Sequence, residues 1–160
     1  MYGLKVGGFK IKFSSAHFLV GHPKCGRLHG HNWLVTVEFK GKIGEDGMIV
    51  DFIDVKKYLK EIIEPLDHKL LIPVASPGVN VKIEKDKVEL EQGGKRYILP
   101  KEDVCLLPLK AITCETLAKY IYDKIKSKYG NLLMKVYVSE DIGVEASYSQ
   151  SSSFQSSSDQ

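Results

Sequence analysis

The stretch that most constrains this chain is residues 22–31, His22-Pro23-Lys24-Cys25-Gly26-Arg27-Leu28-His29-Gly30-His31. It gathers three imidazoles and a thiol, groups that bind metals or move protons. The residues after it, Asn32-Trp33-Leu34-Val35-Thr36-Val37-Glu38-Phe39, are rich in β-branched and aromatic side chains and predict a strand. Alternate side chains on a strand share a face, so His29 and His31 point the same way as Trp33, Val35, Val37 and Phe39. Upstream, Phe9 to Phe18 alternates as well, with Phe9, Ile11, Phe13, Ser15 and His17 on one face. Antiparallel pairing of these strands across a loop at about 19–28 would set His17 beside His29 and His31. Three imidazoles on neighbouring positions of one sheet suit a zinc ion that keeps an open fourth position. Imidazole also suits iron, copper and nickel.

The rest of the chain reads as alternating strands and helices. Gly41 to Gly47 is a polar turn, and Met48-Ile49-Val50 reads as a brief continuation of the sheet. Asp51 is placed to cap a helix from Phe52 to Glu64, whose apolar residues recur at helical spacing and which Pro65 ends. Leu66-Asp67-His68-Lys69-Leu70-Leu71 then sets an acid and an imidazole just past the helix. Residues 73–111 read as an insertion of hairpins: Val79–Glu84 and Lys87–Glu91 alternate apolar with charged residues, and Gly93-Gly94 turns into Lys95–Leu99. A second helix begins near the N-cap Thr113, carries Glu115 in its first turn and ends at Gly130. Leu132–Glu140 and Val144–Tyr148 are the last strands. Residues 1–148 read as one domain, and the Ser/Gln-rich stretch 149–160 as a flexible tail.

Composition narrows the class. With 23 basic and 20 acidic residues interspersed and a net charge of +3, the chain has no basic stripe to hold nucleic acid. No apolar run is long enough to span a membrane, and the N-terminus lacks the apolar core of a signal peptide. A cytoplasmic protein is expected. Three cysteines, an odd and sparse set, argue for free thiols rather than a disulfide framework.

Several candidate groups have a bland reading beside the chemical one. Cys25 fits a fourth zinc ligand, an inert buried thiol, or a nucleophile or base; Lys24 and Arg27 flank it, and nearby positive charge favours a thiolate. Asp67-His68 fits a helix-end dipeptide or a carboxylate that orients an imidazole for acid/base work. Glu140 fits an exposed strand-end acid or a buried carboxylate accepting hydrogen bonds from an amino-substituted heterocycle. Glu115 is the kind of acid that the first turn of any helix favours.

Taken together, the motifs Phe13-Ser14-Ser15-Ala16-His17, Cys25-Gly26-Arg27-Leu28-His29-Gly30-His31, Gly47-Met48-Ile49-Val50-Asp51-Phe52, Leu66-Asp67-His68, Thr113-Cys114-Glu115 and Val138-Ser139-Glu140 resemble the 6-pyruvoyl- and 6-carboxy-tetrahydropterin synthase family. The resemblance covers residues 9–71 and 112–148. It implies the α+β tunnelling fold: a four-stranded antiparallel sheet with two helices on one face, in the order ββ-α-(inserted hairpins)-α-ββ. It implies subunits joined side by side into a barrel, commonly a homohexamer, with active sites between them. It also implies roles: His17, His29 and His31 would hold Zn2+, Cys25 would be the base, and Asp67 and His68 the relay, reaching in from a neighbouring subunit. Glu140, helped by Thr113 and Glu115, would anchor the pterin ring. Three residues between Cys25 and His29 resemble the carboxy-forming branch of the 7-deazaguanine pathway; pyruvoyl-forming members tend to carry five. The expected substrate is 7,8-dihydroneopterin triphosphate, and Lys24 and Arg27 are candidates for meeting its triphosphate. The chain departs from the family pattern at Ile112 (usually Pro), at Asp141 (usually Thr), at Leu71-Ile72 (where an Asn is usual) and in the longer insertion.

Overall fold

Period-two alternation over the first forty residues builds one long antiparallel hairpin, β1 (Tyr2–His17) and β2 (His29–Gly41). The computed structural model describes residues 1–150; the stretch read as a flexible tail lies outside the described residues from 151 onward. Helix α1 (Phe52–Ile63) is capped by Asp51, whose carboxylate accepts from the Ile53 N–H at 2.8 Å. Pro65 does not stop the chain turning, because residues 64–66 add a short 3-10 turn. Helix α2 (Cys114–Tyr129) starts at a capping box between Thr113 and Thr116. Both helices pack on one face of the sheet. Val55, Leu59, Leu117, Ile121 and Ile125 share a core with Trp33, Val35, Val37, Val136 and Val138. Among the described residues no helix is long and apolar enough to cross a membrane.

The sheet has six strands rather than the expected four. The hairpin is joined by β3 (Lys69–Pro73), β7 (Val104–Leu107), β8 (Leu133–Asp141) and β9 (Val144–Tyr148), in the order β7-β3-β1-β2-β8-β9. Strands β3 and β7 run parallel to their neighbours, so the sheet is mixed. They escape a search for alternation because both of their faces are covered. Leu71 and Leu107 enter the helix-side core, while Leu70, Ile72, Val104 and Leu106 face a second cluster. That cluster is formed with the insertion, a separate three-stranded sheet of β4 (Val79–Glu84), β5 (Lys87–Gln92) and β6 (Lys95–Pro100). Strands buried on both sides read as plain apolar runs.

Two further expectations are corrected. Met48-Ile49-Val50 forms no strand; Ile49 and Val50 lie in a bend. Phe9 does not share the face of Ile11 and Phe13; it is 82% exposed. Gly8 lies opposite Val35 and Lys12 opposite Leu34, so Phe9, Lys10 and Ile11 have no partner on β2. This bulge reverses the parity, and Val6 and Ile11 are both buried. It depends on Gly7, at φ 132°, where a Cβ would meet the Val35 carbonyl oxygen at 2.1 Å.

Candidate metal centre

The ladder between β1 and β2 sets the site. His17 lies directly opposite His29, Ser15 opposite His31, and Phe13 opposite Trp33. With one side-chain face shared, the three imidazoles converge: ring centroids are 4.4 Å apart for His17–His29 and 5.1 Å for each of the other two pairs. One ligand atom from each lies within 4.8 Å of the others, and Cys25 is not part of that set. Trp33 forms the floor. It is fully buried and meets His17 and His31 edge-on at 5.0 and 5.3 Å, and its Nε1–H donates to the Ser15 carbonyl at 3.3 Å.

Two of the rings are oriented from behind. His17 Nδ1 lies 2.8 Å from the Ile112 carbonyl and His29 Nδ1 2.7 Å from the Arg27 carbonyl. A carbonyl only accepts, so each Nδ1 carries the proton and each Nε2 presents a lone pair. The buried His17 Nε2 has no hydrogen-bond partner. An unpartnered buried acceptor among two more imidazoles fits a divalent metal ligand. Burial, and secondarily the like charge of His29 and His31, pulls the His17 pKa down to about 4 against the Ile112 hydrogen bond. His17 is therefore neutral at pH 7, the form that ligates. The Pro-to-Ile departure at 112 leaves this carbonyl in place.

Glu140 ends the buried face of β8 beside the trio. Its Oε2 is 3.8 Å from His31 Nε2. Cys114, buried at the start of α2, has its pKa raised to about 11 by burial and then by the carboxylates of Glu140 and Glu115. Glu140, Glu115 and the α2 N-terminus thus adjoin one another. Thr113 is half-buried and its hydroxyl accepts from the Thr116 N–H at 3.3 Å, so it serves as a helix cap there. Glu115 is exposed.

Asp67-His68 docks on the same strand as His17. Asp67 Oδ1 accepts from the Ser14 N–H at 2.8 Å, and the His68 N–H donates to the Ser14 carbonyl at 2.7 Å. Asp67 Oδ2 lies 2.8 Å from His68 Nδ1. Partial burial opposes ionisation of Asp67, but the Ser14 N–H and His68 outweigh it and hold its carboxyl below the usual range. His68 adopts φ 56°, a left-handed conformation uncommon outside glycine, and its side chain is 81% exposed. Two depressions flank His31 and Asn32. One, of about 530 Å³, is lined by Ser14, His31, His68 and Lys69; the other, of about 440 Å³, by Phe9, His31, Glu140 and Asp141.

Cys25 sits half-buried on the loop that joins β1 to β2, with Lys24 and Arg27 beside it, both exposed. Its N–H donates to His22 Nδ1 at 2.9 Å and its carbonyl accepts from the Leu19 N–H at 2.7 Å. His22, Ser14 and Gln92 support the site, and sequence reasoning does not single them out. Gln92 alone carries a visible signal, a polar residue in register with the apolar Val88 and Leu90.

Comparison with known proteins identifies the family and the fold. Residues 8–151 match the family model of 6-pyruvoyl tetrahydropterin synthase. A putative 6-carboxy-5,6,7,8-tetrahydropterin synthase of Methanocaldococcus jannaschii is 37% identical over 153 residues, covering 91% of this chain and 92% of that protein. A putative protein of the same name from Pyrococcus horikoshii is 34% identical over 129 residues, covering 79% and 77%. The crystal structure of Plasmodium vivax 6-pyruvoyl tetrahydropterin synthase superimposes with a TM-score of 0.84 at 27% identity, over 92% of this chain and 96% of that one.

Proposed function

Because the chain belongs to the 6-pyruvoyl tetrahydropterin synthase family, we propose that it is a zinc-dependent 6-carboxy-5,6,7,8-tetrahydropterin synthase. Such a carbon–oxygen lyase converts 7,8-dihydroneopterin triphosphate and water to 6-carboxy-tetrahydropterin, acetaldehyde and triphosphate. The observation that carries the reading is an imidazole trio without a fourth protein ligand among the described residues, set beside the Glu140 carboxylate. His17, His29 and His31 would hold the metal, which when bound supplies Lewis acidity toward oxygens of the substrate side chain.

The chain's own residues supply the remaining roles. The carbonyls of Ile112 and Arg27 fix the tautomers of His17 and His29. Glu140 accepts hydrogen bonds from a ring N–H and the amino group of the pterin, with Thr113 and Glu115 nearby. Cys25 removes a carbon-bound proton. Asp67, held ionised, orients His68, whose exposed ring exchanges protons at the wider depression. Lys24 and Arg27 offer positive charge to the triphosphate from the mouth of the loop.

A second reading is 6-pyruvoyl-tetrahydropterin synthase, which stops at loss of triphosphate. A relative bearing the name 6-pyruvoyl tetrahydrobiopterin synthase, from Dictyostelium discoideum, is 38% identical over 72 residues, 37% of this chain and 53% of that protein. Incubation of the zinc-loaded protein with 7,8-dihydroneopterin triphosphate, with products identified by mass, separates the two. The expected products are the carboxy compound and acetaldehyde; a pyruvoyl product selects the second reading, and no triphosphate release refutes both.

We place the sites in a homo-oligomer, a hexamer in the family pattern. The outer strands β7 and β9 each leave one backbone edge without a strand partner among the described residues. Whether His68 serves its own chain's trio or a neighbour's is read by mixing inactive Cys25→Ala with inactive His68→Ala. Partial recovery of activity after subunit exchange is expected for shared sites; no recovery despite proven exchange assigns the relay to the same chain.

A further inference from the structure

Among the described residues, four polar or charged side chains are buried: Ser15, His17, Ser76 and Gln92. The first two belong to the metal end of the long hairpin. Gln92 belongs to the insertion, and nothing in the proposed reaction uses it. It is 3% exposed at the end of β5, the central strand of the inserted sheet, paired with Val79 on one side and Lys95 on the other. It shares a face with Val88 and Leu90, both fully buried. An amide in such a place is unfavourable unless hydrogen-bonded. Gln92 Nε2 donates to the Gly26 carbonyl at 3.1 Å, across 66 residues of sequence and one residue past Cys25.

The insertion also touches the other end of the same loop. Gly78, just before β4, packs so closely on Val20 that a Cβ there would lie 2.7 Å from Val20 Cγ1. Between these contacts the loop is closed on itself. The Gly26 N–H donates to the His22 carbonyl at 2.9 Å, and a Cβ at 26 would come within 2.7 Å of that oxygen. The insertion is itself anchored: Val79, Val88 and Leu90 join Phe18, Leu70 and Ile72 in the second core. It grips β3 and the residue after His17 with one face and holds the Cys25 loop with its end.

We propose that the three-stranded insertion is a brace for the Cys25 loop and that Gln92 is a positioning residue, fixing the Gly26 carbonyl and, through it, the Cys25 thiol relative to the imidazole trio. The catalytic half of this rests on Cys25 being the base, as read above; the mechanical half does not. The test uses the metal-loaded full chain and Gln92→Met, which keeps the side-chain length and removes the amide. Hydrogen exchange of peptides covering residues 19–27 and 79–91 is followed without substrate, and kcat and KM are measured on 7,8-dihydroneopterin triphosphate. Exchange in 19–27 should rise roughly two- to tenfold, the range of one neutral hydrogen bond. Exchange in 79–91 and metal content should stay unchanged, and kcat should fall by a similar factor at constant KM. Gln92→Leu, apolar like its neighbours Val88 and Leu90, also removes the donor and should loosen the loop at least as much, so a Gln92→Met protein that fails to fold leaves the test standing. Unchanged exchange in 19–27 overturns the brace, even in an active enzyme. So does a rise spread equally over 79–91, which would report only a weakened insertion. A loosened loop with undiminished kcat overturns the positioning role. Because exchange is read without turnover, a protein that makes neither pterin product still reports on the brace.

Discussion

The imidazole trio and the Cys25 loop are neighbours in sequence but are built in opposite ways. The trio is part of a β-ladder: His17 faces His29 across backbone hydrogen bonds, and two of the rings are backed by main-chain carbonyls. The loop has no ladder. It is shaped by a few backbone turns, by the His22 ring accepting from the Cys25 N–H, and by Gln92 reaching in from the insertion. Strand register is collective, so no single side chain sets the spacing of the imidazoles. The position of the thiol rests on individual hydrogen bonds, each worth about 1 kcal/mol. Metal binding and proton abstraction should therefore fail separately.

The largest expected effects test that separation directly. His29→Ala removes one of three ligands and should abolish most metal binding and, with it, turnover, read by metal analysis and product formation. Cys25→Ala should keep the fold and about one metal per chain while turnover falls by about two to four orders of magnitude, the range of a lost general base. If the Cys25→Ala protein loses its metal as well, the thiol is a fourth ligand and the two regions are one closed site. If His29→Ala keeps full metal and activity, the trio is not the metal centre.

A smaller effect belongs to the trio alone and appears in the metal-free protein. His17 has its pKa lowered to about 4 in the folded state by burial and by its two imidazole neighbours, against an ordinary value of 6.5. Above pH 6.5 neither state binds the proton, and the fold keeps its full stability. As pH falls from 6.5 toward 4 the unfolded chain takes up a proton that the folded one refuses, and stability is lost by roughly 3 kcal/mol. Below pH 4 the folded state protonates too and the loss levels off. Urea denaturation of the chelator-treated protein at pH 7 and pH 4.5 measures the drop, and His17→Gln should shrink it. An equal drop in the variant would mean that other groups carry the acid sensitivity.

The same contrast governs what can be read from the sequence. The trio is legible because alternation puts His29, His31 and Trp33 on one face, and one assumption, antiparallel pairing, brings His17 to them. Its supports are less visible. The Ser14–Asp67 hydrogen bond spans 53 residues, and nothing local announces it. Strands β3 and β7 are hard to see because Leu70, Leu71 and Ile72 form an apolar run without alternation, the consequence of burial between the helices and the insertion. The face of Phe9 is a different case: adjacent glycines at 7 and 8 mark a bulge, and strict alternation does not hold for the unpaired residues 9–11 beside them. Gln92 carries a signal too, its parity with Val88 and Leu90, but which loop its amide meets is a matter of tertiary packing.

The smallest expected effect sharpens the comparison most. Four of the five histidines fall within residues 17–31, yet only three converge; His22 is exposed on the loop and outside the set of mutually close ligand atoms. Its Nδ1 accepts from the Cys25 N–H at 2.9 Å and from the Lys24 N–H at 3.3 Å, so it acts as a turn-forming acceptor. His22→Ala should leave metal content untouched and lower turnover roughly two- to tenfold, the value of one or two solvent-exposed neutral hydrogen bonds. His22→Asn, whose shorter side chain also accepts from N–H groups two and three residues on, should restore much of the loss. Metal analysis beside the two turnover rates decides the matter. A His22→Ala protein that loses metal as His29→Ala does would join the loop to the metal centre. An Asn variant no better than Ala would show that the loop needs the imidazole itself rather than an acceptor at that point.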